Sequence, residues 1–320
     1  MLYSIENDQI VEFNQHQVEY LYSRYVPDNS LIVPDGKTIQ GSSIPDYIKS
    51  VIFDDAQNSV DVEAHAKEIH LDIPHYFVSG SYNYHQDPPN DPRILYFPFW
   101  AVWSSQQNPK FSSTAKIHQF SCLNGRLRPH RNLLYLELSK RHWFTDMIFT
   151  FGNQDHRDDT LSNWQLTPEE NTAFWHLPLR VTWIDTDATV GIDVGTDHPA
   201  FHEAYINIVT ETNFDISKQM LSEKSFKPII TGQLFVLLAS PGAVRFLRAI
   251  GIDTFDDVVD HSYDSIIDNR ERFNAALAEI DRLAAIDFAP IYNQIKPRLE
   301  KNSLYLSSQE FRDQFPLRFD

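Results

Sequence analysis

A basic cluster stands out in an otherwise acidic sequence. Residues 124–131 read Asn-Gly-Arg-Leu-Arg-Pro-His-Arg, which follows an apolar run. Pro129 is typical of the first turn of a helix, and such a turn offers backbone N–H groups and a partial positive charge. Asn124, Arg126, Arg128 and Arg131 would therefore form a site suited to a pyrophosphate ligand. The alternative is that these arginines pair with surface carboxylates.

A second group of charged residues follows a later apolar run. Glu211 ends that run, and Glu223 and Lys224 come directly after Ser222, a favourable residue for the cap of a helix. Ligands of open α/β sheets bind at the carboxyl ends of the strands. Lys224 would then contact phosphate, a carboxylate would accept a ribose or sugar hydroxyl, and Glu211 is a candidate catalytic residue. The alternative is ordinary helix-start chemistry with an exposed lysine.

Possible metal ligands are present but poorly spaced. Asp185-Thr-Asp187 has the form that binds a metal-nucleotide in one sugar-transferase architecture, although such triplets are frequent in acidic chains. Histidines at 65, 70 and 75 lie near two glutamates. Neither the helical nor the strand period brings all three histidines together. We predict no metal site, and a metal-dependent hydrolase built on the His65 region remains a rival hypothesis.

Alternating strands and helices surround both charged groups. Apolar strand patterns cover residues 118–123, 204–209 and 234–239, and a helix pattern follows each of them. A long amphipathic helix comes later, with Phe273, Leu277, Ile280 and Leu283 on one stripe. This alternation favours an α/β fold with a parallel sheet covered on both faces. We therefore predict a Rossmann-like domain in the second half of the chain.

The first part of the chain is richer in turn residues, with short strand-like runs at 50–53, 75–78 and 93–100. A polar segment, residues 106–114, follows as a linker. We predict a first domain over residues 1–112, a second over 113–290, and a helical tail over 291–320 that packs back on the first domain.

Composition narrows the functional classes. The net charge of -17 argues against a broad electrostatic surface for nucleic acid or anionic lipid. The single cysteine, Cys122, fits a reducing compartment, and no segment resembles a leader or a membrane span, so we expect a soluble cytoplasmic protein. Dinucleotide fingerprints, P-loops and nucleophile elbows are absent from the sequence.

The order of these motifs resembles the α-1,3-fucosyltransferase family of sugar-nucleotide transferases. The resemblance spans roughly residues 75–250. It is carried by five segments of the chain: Arg-Ile-Leu-Tyr-Phe-Pro-Phe-Trp at 93–100, the strand, turn and helix at 118–138, Ile-Asn-Ile-Val-Thr-Glu at 206–211, Leu-Ser-Glu-Lys at 221–224, and the strand with its Ser-Pro-Gly turn at 233–242.

The resemblance implies a GT-B architecture, in which two Rossmann-like domains face a central cleft. The first domain would be the acceptor side, and the second would bind the nucleotide sugar, with a GDP-sugar favoured. Transfer to a hydroxyl acceptor, a glycan or a small molecule, would be inverting and metal-independent, with no cofactor beyond the nucleotide sugar. Arg131 and Lys224 would neutralise the leaving diphosphate, and Glu223 would hold the ribose.

The chain departs from the family at two positions. The asparagine of the family's Phe-Glu-Asn falls on Thr212, with Asn213 one place later, so that donor contact is shifted or lost. The glutamate proposed as the family's base corresponds to Ser81, and serine is not a base on its own. Either another acid replaces it, or the acceptor differs, or the protein is a catalytically silent nucleotide- or glycan-binding module. The candidate acids are Asp54, Asp55, Asp87 and Asp91.

Overall fold

The structure is a computed structural model that divides into two units. Unit 1 comprises Met1–Trp103, Lys218–Met220 and Arg312–Asp320, and unit 2 comprises Ser104–Ser217 and Leu221–Phe311. The described residues are 2–6, 9–12, 26–33, 44–55, 62–111, 115–126, 128–154, 164, 166–175, 181–182, 195–216 and 219–316.

Unit 1 contains a mostly parallel sheet in the order β2-β1-β3-β4-β5-β6, in which only β2 is antiparallel to its neighbour. Its strands are β1 Leu2–Glu6, β2 Gln9–Glu12, β3 Ser30–Val33, β4 Ser50–Asp55, β5 His75–Ser79 and β6 Ile94–Tyr96. Its helices are α1 Val62–Glu68, α2 Asn83–Gln86 and α3 Phe99–Ser104, which ends at the boundary with unit 2.

The core of unit 1 lies between the sheet and α1. Phe53 and Phe77 stack at 4.9 Å between ring centroids, and Val62 and Ala66 of α1 pack into the same cluster. The apolar run at 93–100 is not one strand as its pattern suggests. Because Pro98 has no N–H to continue a ladder, β6 stops at Tyr96 and α3 starts at Phe99.

Unit 2 contains a five-stranded sheet among the described residues, in the order β11-β10-β7-β8-β9. Its strands are β7 His118–Arg126, β8 Ile148–Gln154, β9 Val181–Thr182, β10 Ala204–Thr210 and β11 Leu234–Leu238, all parallel to their neighbours except β9. The helices are α4 Pro129–Leu138, α5 Pro168–Trp175, α6 Pro199–His202, α7 Glu223–Ile230, α8 Ala243–Ala249, α9 Asn269–Ala284, α10 Phe288–Leu306 and α11 Gln309–Arg312, whose last residue is assigned to unit 1.

The predicted α/β class is confirmed, and the strands and helices around the charged groups lie where their patterns place them. The predicted stripe of α9 is buried in the core of unit 2 at Phe273, Leu277, Ile280 and Leu283. One detail differs: the Asn-Gly pair at 124–125 does not end β7. The strand continues to Arg126 through a register shift between residues 124 and 126, because a bulge accommodates the extra residue.

The C-terminal residues differ from the predicted tail. Helix α10 starts at Phe288 and belongs to unit 2, where Ile295 and Leu299 join the core and the Ser303 hydroxyl donates to the Ile230 carbonyl at 2.7 Å. Residues 312–320 are the part that groups with unit 1. Within the described ranges, no helix has both the length and the apolar character needed to cross a membrane.

Strand order in unit 2 creates a topological switch point. From β7 the chain passes to β8 on one side, and it later returns to β10 and β11 on the other side of β7. Connections leave β7 and β10 in opposite directions, so a crevice forms outside the carboxyl ends of these two strands. In unit 1 the described strands follow one another from β3 to β6, and the chain reverses between β1 and β3, because β2 lies on the other side of β1.

Candidate functional site

The carboxyl ends of β7 and β10 are joined by a hydrogen bond between side chains. The Thr210 hydroxyl donates to Oδ1 of Asn124 at 2.6 Å, and Nδ2 of Asn124 lies 3.2 Å from the Cys122 sulfur. Asn124 is only 2% exposed. Because its Oδ1 already accepts from Thr210 and its Nδ2 lies against Cys122, Asn124 fixes the switch point from within the protein.

The backbone at the end of β7 is open. A Cβ built on Gly125 meets no atom within 4 Å, so a ligand has room to approach the main chain here. Arg126 pairs through its backbone with Gln154 of β8. The Arg126 side chain lies outside the described part of the chain, and its predicted role as a phosphate contact stays a prediction.

Three helices of unit 2 start just after the sheet's carboxyl edge. At α7, the Ser222 hydroxyl accepts from the backbone N–H of Lys224. At α8, the Asp264 carboxylate accepts from the N–H groups of Val244 and Arg245, both at 2.9 Å. At α4, Arg128 occupies the cap position and makes no side-chain cap. Of these three starts, α4 is therefore the one most suited to an anion.

Arg131 and His130 bind the end of β10. Nη2 of Arg131 donates to the carbonyls of Thr210 at 2.8 Å and Glu211 at 3.1 Å, and Nε2–H of His130 donates to the Glu211 carbonyl at 2.9 Å. Burial lowers the pKa of Arg131 to about 10, and the nearby charge of Glu211 opposes that shift. Arg131 thus holds the carboxyl end of β10 in place. Its Nη2 is used for these bonds and does not make the predicted phosphate contact.

Glu211 is fully buried and its carboxylate is saturated. It accepts hydrogen bonds from the backbone of Thr212 and Ser222, at 3.0 and 2.9 Å. It also accepts from the hydroxyls of Ser222 and Ser225, both at 2.6 Å. Since each oxygen takes two donors, Glu211 does not present a lone pair to an acceptor hydroxyl. The structure gives it a structural role, holding the start of α7 against the end of β10.

Glu223 and Lys224 form an ion pair at the start of α7. Nζ of Lys224 lies 2.6 Å from Oε1 of Glu223, and about a third of the Lys224 side chain is exposed. Burial alone would raise the pKa of Glu223, but the charge and hydrogen bond of Lys224 outweigh it, and the pKa lies below its usual value. Glu223 also acts electrostatically on Arg131, so α4 and α7 bring the two predicted groups together.

The other predicted donor contacts are half buried. Thr212 donates its backbone N–H to Glu211, and Asn213 follows it toward the buried Phe214. Arg272, which the sequence pattern did not single out, fixes this loop. Its guanidinium donates to the carbonyls of Phe214 and Ala239 and stacks over the Phe214 ring. No sequence signal marks Arg272, because a charged residue beside an apolar stripe usually faces solvent.

The acids proposed as the base have different surroundings in unit 1. Asp54 lies at the carboxyl end of β4 and is 8% exposed. Asp55 pairs with Ser79 through its backbone, and its side chain is outside the described part. Asp87 is exposed after α2. Oδ2 of Asp91 accepts a hydrogen bond from Nη2 of Arg93 at 2.6 Å. This hydrogen bond holds the pKa of Asp91 below its usual value, so Asp91 is a poor base.

The histidines of the rival metal site serve other purposes. His65 packs edge-on against the rings of Phe53 and Phe77. Nε2 of His75 accepts from Arg93 at 2.7 Å, and its Nδ1–H donates to the Ile73 carbonyl at 3.0 Å. Among the described residues, no three potential ligands are grouped to hold a metal ion. The Asp-Thr-Asp triplet at 185–187 lies outside the described residues.

Comparisons with known proteins add no family assignment. No model of a known protein family matches this sequence. A search of curated proteins gave no match either. Function has to be inferred from the motifs of the chain and from the geometry of its described residues.

Proposed function

We propose that the protein is a GT-B-like glycosyltransferase, which moves a sugar from a nucleotide diphosphate sugar to a hydroxyl acceptor. The observation that carries this proposal is the switch point between β7 and β10, where α4 starts without a side-chain cap. Ligands of open α/β sheets bind outside such a point, and phosphates bind at helix starts. The order of motifs shared with the α-1,3-fucosyltransferases favours a GDP-sugar.

Charge at this edge suits a diphosphate leaving group. In the transfer, the acceptor oxygen bonds to the anomeric carbon while the bond from that carbon to the diphosphate breaks, so negative charge develops on the diphosphate. Arg128 and the partly exposed Lys224 are the cations that we assign to it. Arg131 adds positive charge nearby but acts mainly as a positioning residue, because its Nη2 holds the end of β10.

The acceptor hydroxyl must also lose its proton to a base. Glu211 is saturated by four hydrogen bonds, and Asp91 is held by Arg93. Asp54 is a buried acid at the carboxyl end of a central parallel strand. The base of the transfer is therefore one of the remaining predicted acids, Asp54, Asp55 or Asp87.

Thermal stability against a panel of nucleotides and nucleotide sugars tests the donor site. A ligand that binds only the folded state stabilises it by about 2.7 kcal/mol at a hundredfold excess over Kd, which raises Tm by a few degrees. We expect Lys224→Ala to remove most of that shift. Lys140→Ala is the matched control, because Lys140 also pairs with a neighbouring glutamate at 2.6 Å but lies beyond the C-terminal end of α4.

Two results would contradict the donor site: no shift with any nucleotide, or equal shifts in the wild type and Lys224→Ala. Arg131→Ala is a poor first variant, because losing its bonds to β10 would destabilise the fold by itself.

A nucleotide-binding module without transfer activity is the second candidate. It is favoured by Ser81, which stands where the family has its base, and by the occupied carboxylates of Glu211 and Asp91. Hydrolysis of the bound nucleotide sugar separates the two candidates. A transferase releases sugar to water slowly, and changing its base to asparagine, in one of the variants Asp54→Asn, Asp55→Asn and Asp87→Asn, would abolish that release while donor binding persists. Binding without any release in the wild type would support the module.

A further inference from the structure

Asn132 has an unmet hydrogen-bonding capacity. It lies in α4, directly after Arg131, and is 1% exposed. Neither its Oδ1 nor its Nδ2 has a hydrogen-bond partner among the described residues. Leaving a buried amide unpaired costs stability, and native proteins pair nearly all such groups. The unpaired amide near the start of α4 therefore indicates a hydrogen-bond partner outside the protein.

The other buried amides of unit 2 make the contrast clear. Asn302 is buried to a similar degree, yet its Nδ2 donates to the Asp253 carbonyl at 2.7 Å and its Oδ1 accepts from the Asp253 N–H at 2.9 Å. Asn124 and Asn207 also have partners. Burial in this unit is therefore compatible with complete pairing, and Asn132 departs from the pattern.

The place of Asn132 on the helix indicates where its partner would lie. Side chains of a helix lean toward its N-terminus and cover the preceding turn. The backbone N–H of Asn132 donates to the Arg128 carbonyl, so its side chain leans toward the uncapped first turn of α4. The Asn132 amide and the uncapped start of α4 would therefore contact the same ligand.

The Asn132 amide needs two kinds of partner: a hydrogen-bond acceptor for Nδ2 and a hydrogen-bond donor for Oδ1. A phosphate oxygen accepts from Nδ2, and Oδ1 then needs a donor from another part of the ligand. A phosphate ester that carries a hydroxyl close to its phosphate satisfies both atoms. We propose that Asn132 contacts the ligand of the α4 start and selects a nucleoside diphosphate over an inorganic anion. This inference rests on the proposed function and adds a specificity residue to its site.

Thermal unfolding of the full chain tests this inference with GDP, UDP and inorganic pyrophosphate as probes. Without ligand, Asn132→Leu should leave Tm unchanged or raise it, because it removes unpaired polar atoms, whereas the matched change Asn302→Leu should lower Tm by several degrees. With ligand, Asn132→Leu should bind the preferred nucleotide about tenfold more weakly and bind pyrophosphate as the wild type does. Asn132→Asp should bind neither, because its carboxylate would repel both anions.

The possible failures are distinguishable. A fall in Tm for ligand-free Asn132→Leu as large as that for Asn302→Leu would mean that the amide is paired within the protein, and would overturn the inference alone. Equal nucleotide affinity in Asn132→Leu and the wild type would overturn it as well, while leaving the proposed function intact. A wild type that responds to none of the three probes would overturn both.

Discussion

At the scale of single residues, Glu211 and Arg131 show what residue type and spacing can predict. Both lie at the sheet edge to which the sequence assigns them, and the side chains of both form hydrogen bonds within the protein. Spacing predicts which edge a side chain reaches, because strand ends and helix starts follow from local patterns. It does not predict whether the side chain's lone pairs or protons are already used, because the partners come from distant segments such as Ser222 and Ser225.

His130 provides a test by pH. It is stacked on Phe214 and buried, and burial, with the charge of Arg131 next, lowers its pKa well below the usual 6.5. Below pH 6.5 the unfolded chain takes up a proton that native His130 does not, so its contribution to stability is present above that pH and is lost as pH falls. His130→Gln keeps a donor for the Glu211 carbonyl but does not titrate.

We therefore expect the Tm of the wild type to fall relative to that of His130→Gln between pH 7.5 and pH 5.5. Differential scanning calorimetry of both proteins at several pH values measures the gap. Other histidines with lowered pKa, such as His198 and His261, contribute equally to both proteins and cancel. A gap that stays constant with pH would show that folding leaves the pKa of His130 unchanged, and a wild type that gains stability relative to His130→Gln as pH falls would show that His130 is protonated in the folded state.

At the scale of elements, the strands and helices of unit 2 are predictable because each is a short apolar run ended by glycine, proline or a cap residue. The stripe of α9 and the strand β11 are examples. The same local reasoning fails at 93–100, where an apolar run is shared between β6 and α3. It also fails for α10, whose apolar residues join the core of unit 2, because tertiary packing, not the local pattern, decides which core an amphipathic helix joins.

Gly242 and Gly125, which both lie next to the sheet edge, differ in whether a side chain could replace the glycine hydrogen. Gly242 starts α8 with a φ of 83°, and an added Cβ would meet the Arg245 guanidinium at 3.1 Å. Gly242→Ala should therefore reduce the free energy of unfolding by about 1 kcal/mol or more. Gly125→Ala is the control, because a Cβ there meets nothing within 4 Å. Urea denaturation of the two variants measures the difference, and equal stabilities would contradict the strain assigned to Gly242.

At the scale of the whole molecule, the two sheets differ in what their topology offers a ligand. In unit 2 the chain reverses its direction across the sheet between β7 and β10, and both predicted charged groups lie at that reversal. In unit 1 the reversal lies between β1 and β3, and none of the predicted donor-binding residues follows these strands. The net charge of -17 makes a local basic edge more selective, because anions are repelled elsewhere on the surface.

Ligand binding should therefore alter hydrogen exchange first in unit 2. With saturating GDP, we expect slower amide exchange in peptides covering residues 124–134 and 211–225, because the ligand restrains the starts of α4 and α7. Peptides covering β3, β4 and β5 provide the internal reference, since none of the predicted donor-binding residues lies on these strands. Mass spectrometry with and without nucleotide measures both sets in one experiment. Protection confined to β3, β4 and β5 would mean that topology has identified the wrong sheet, because the first ligand contact would then lie in unit 1.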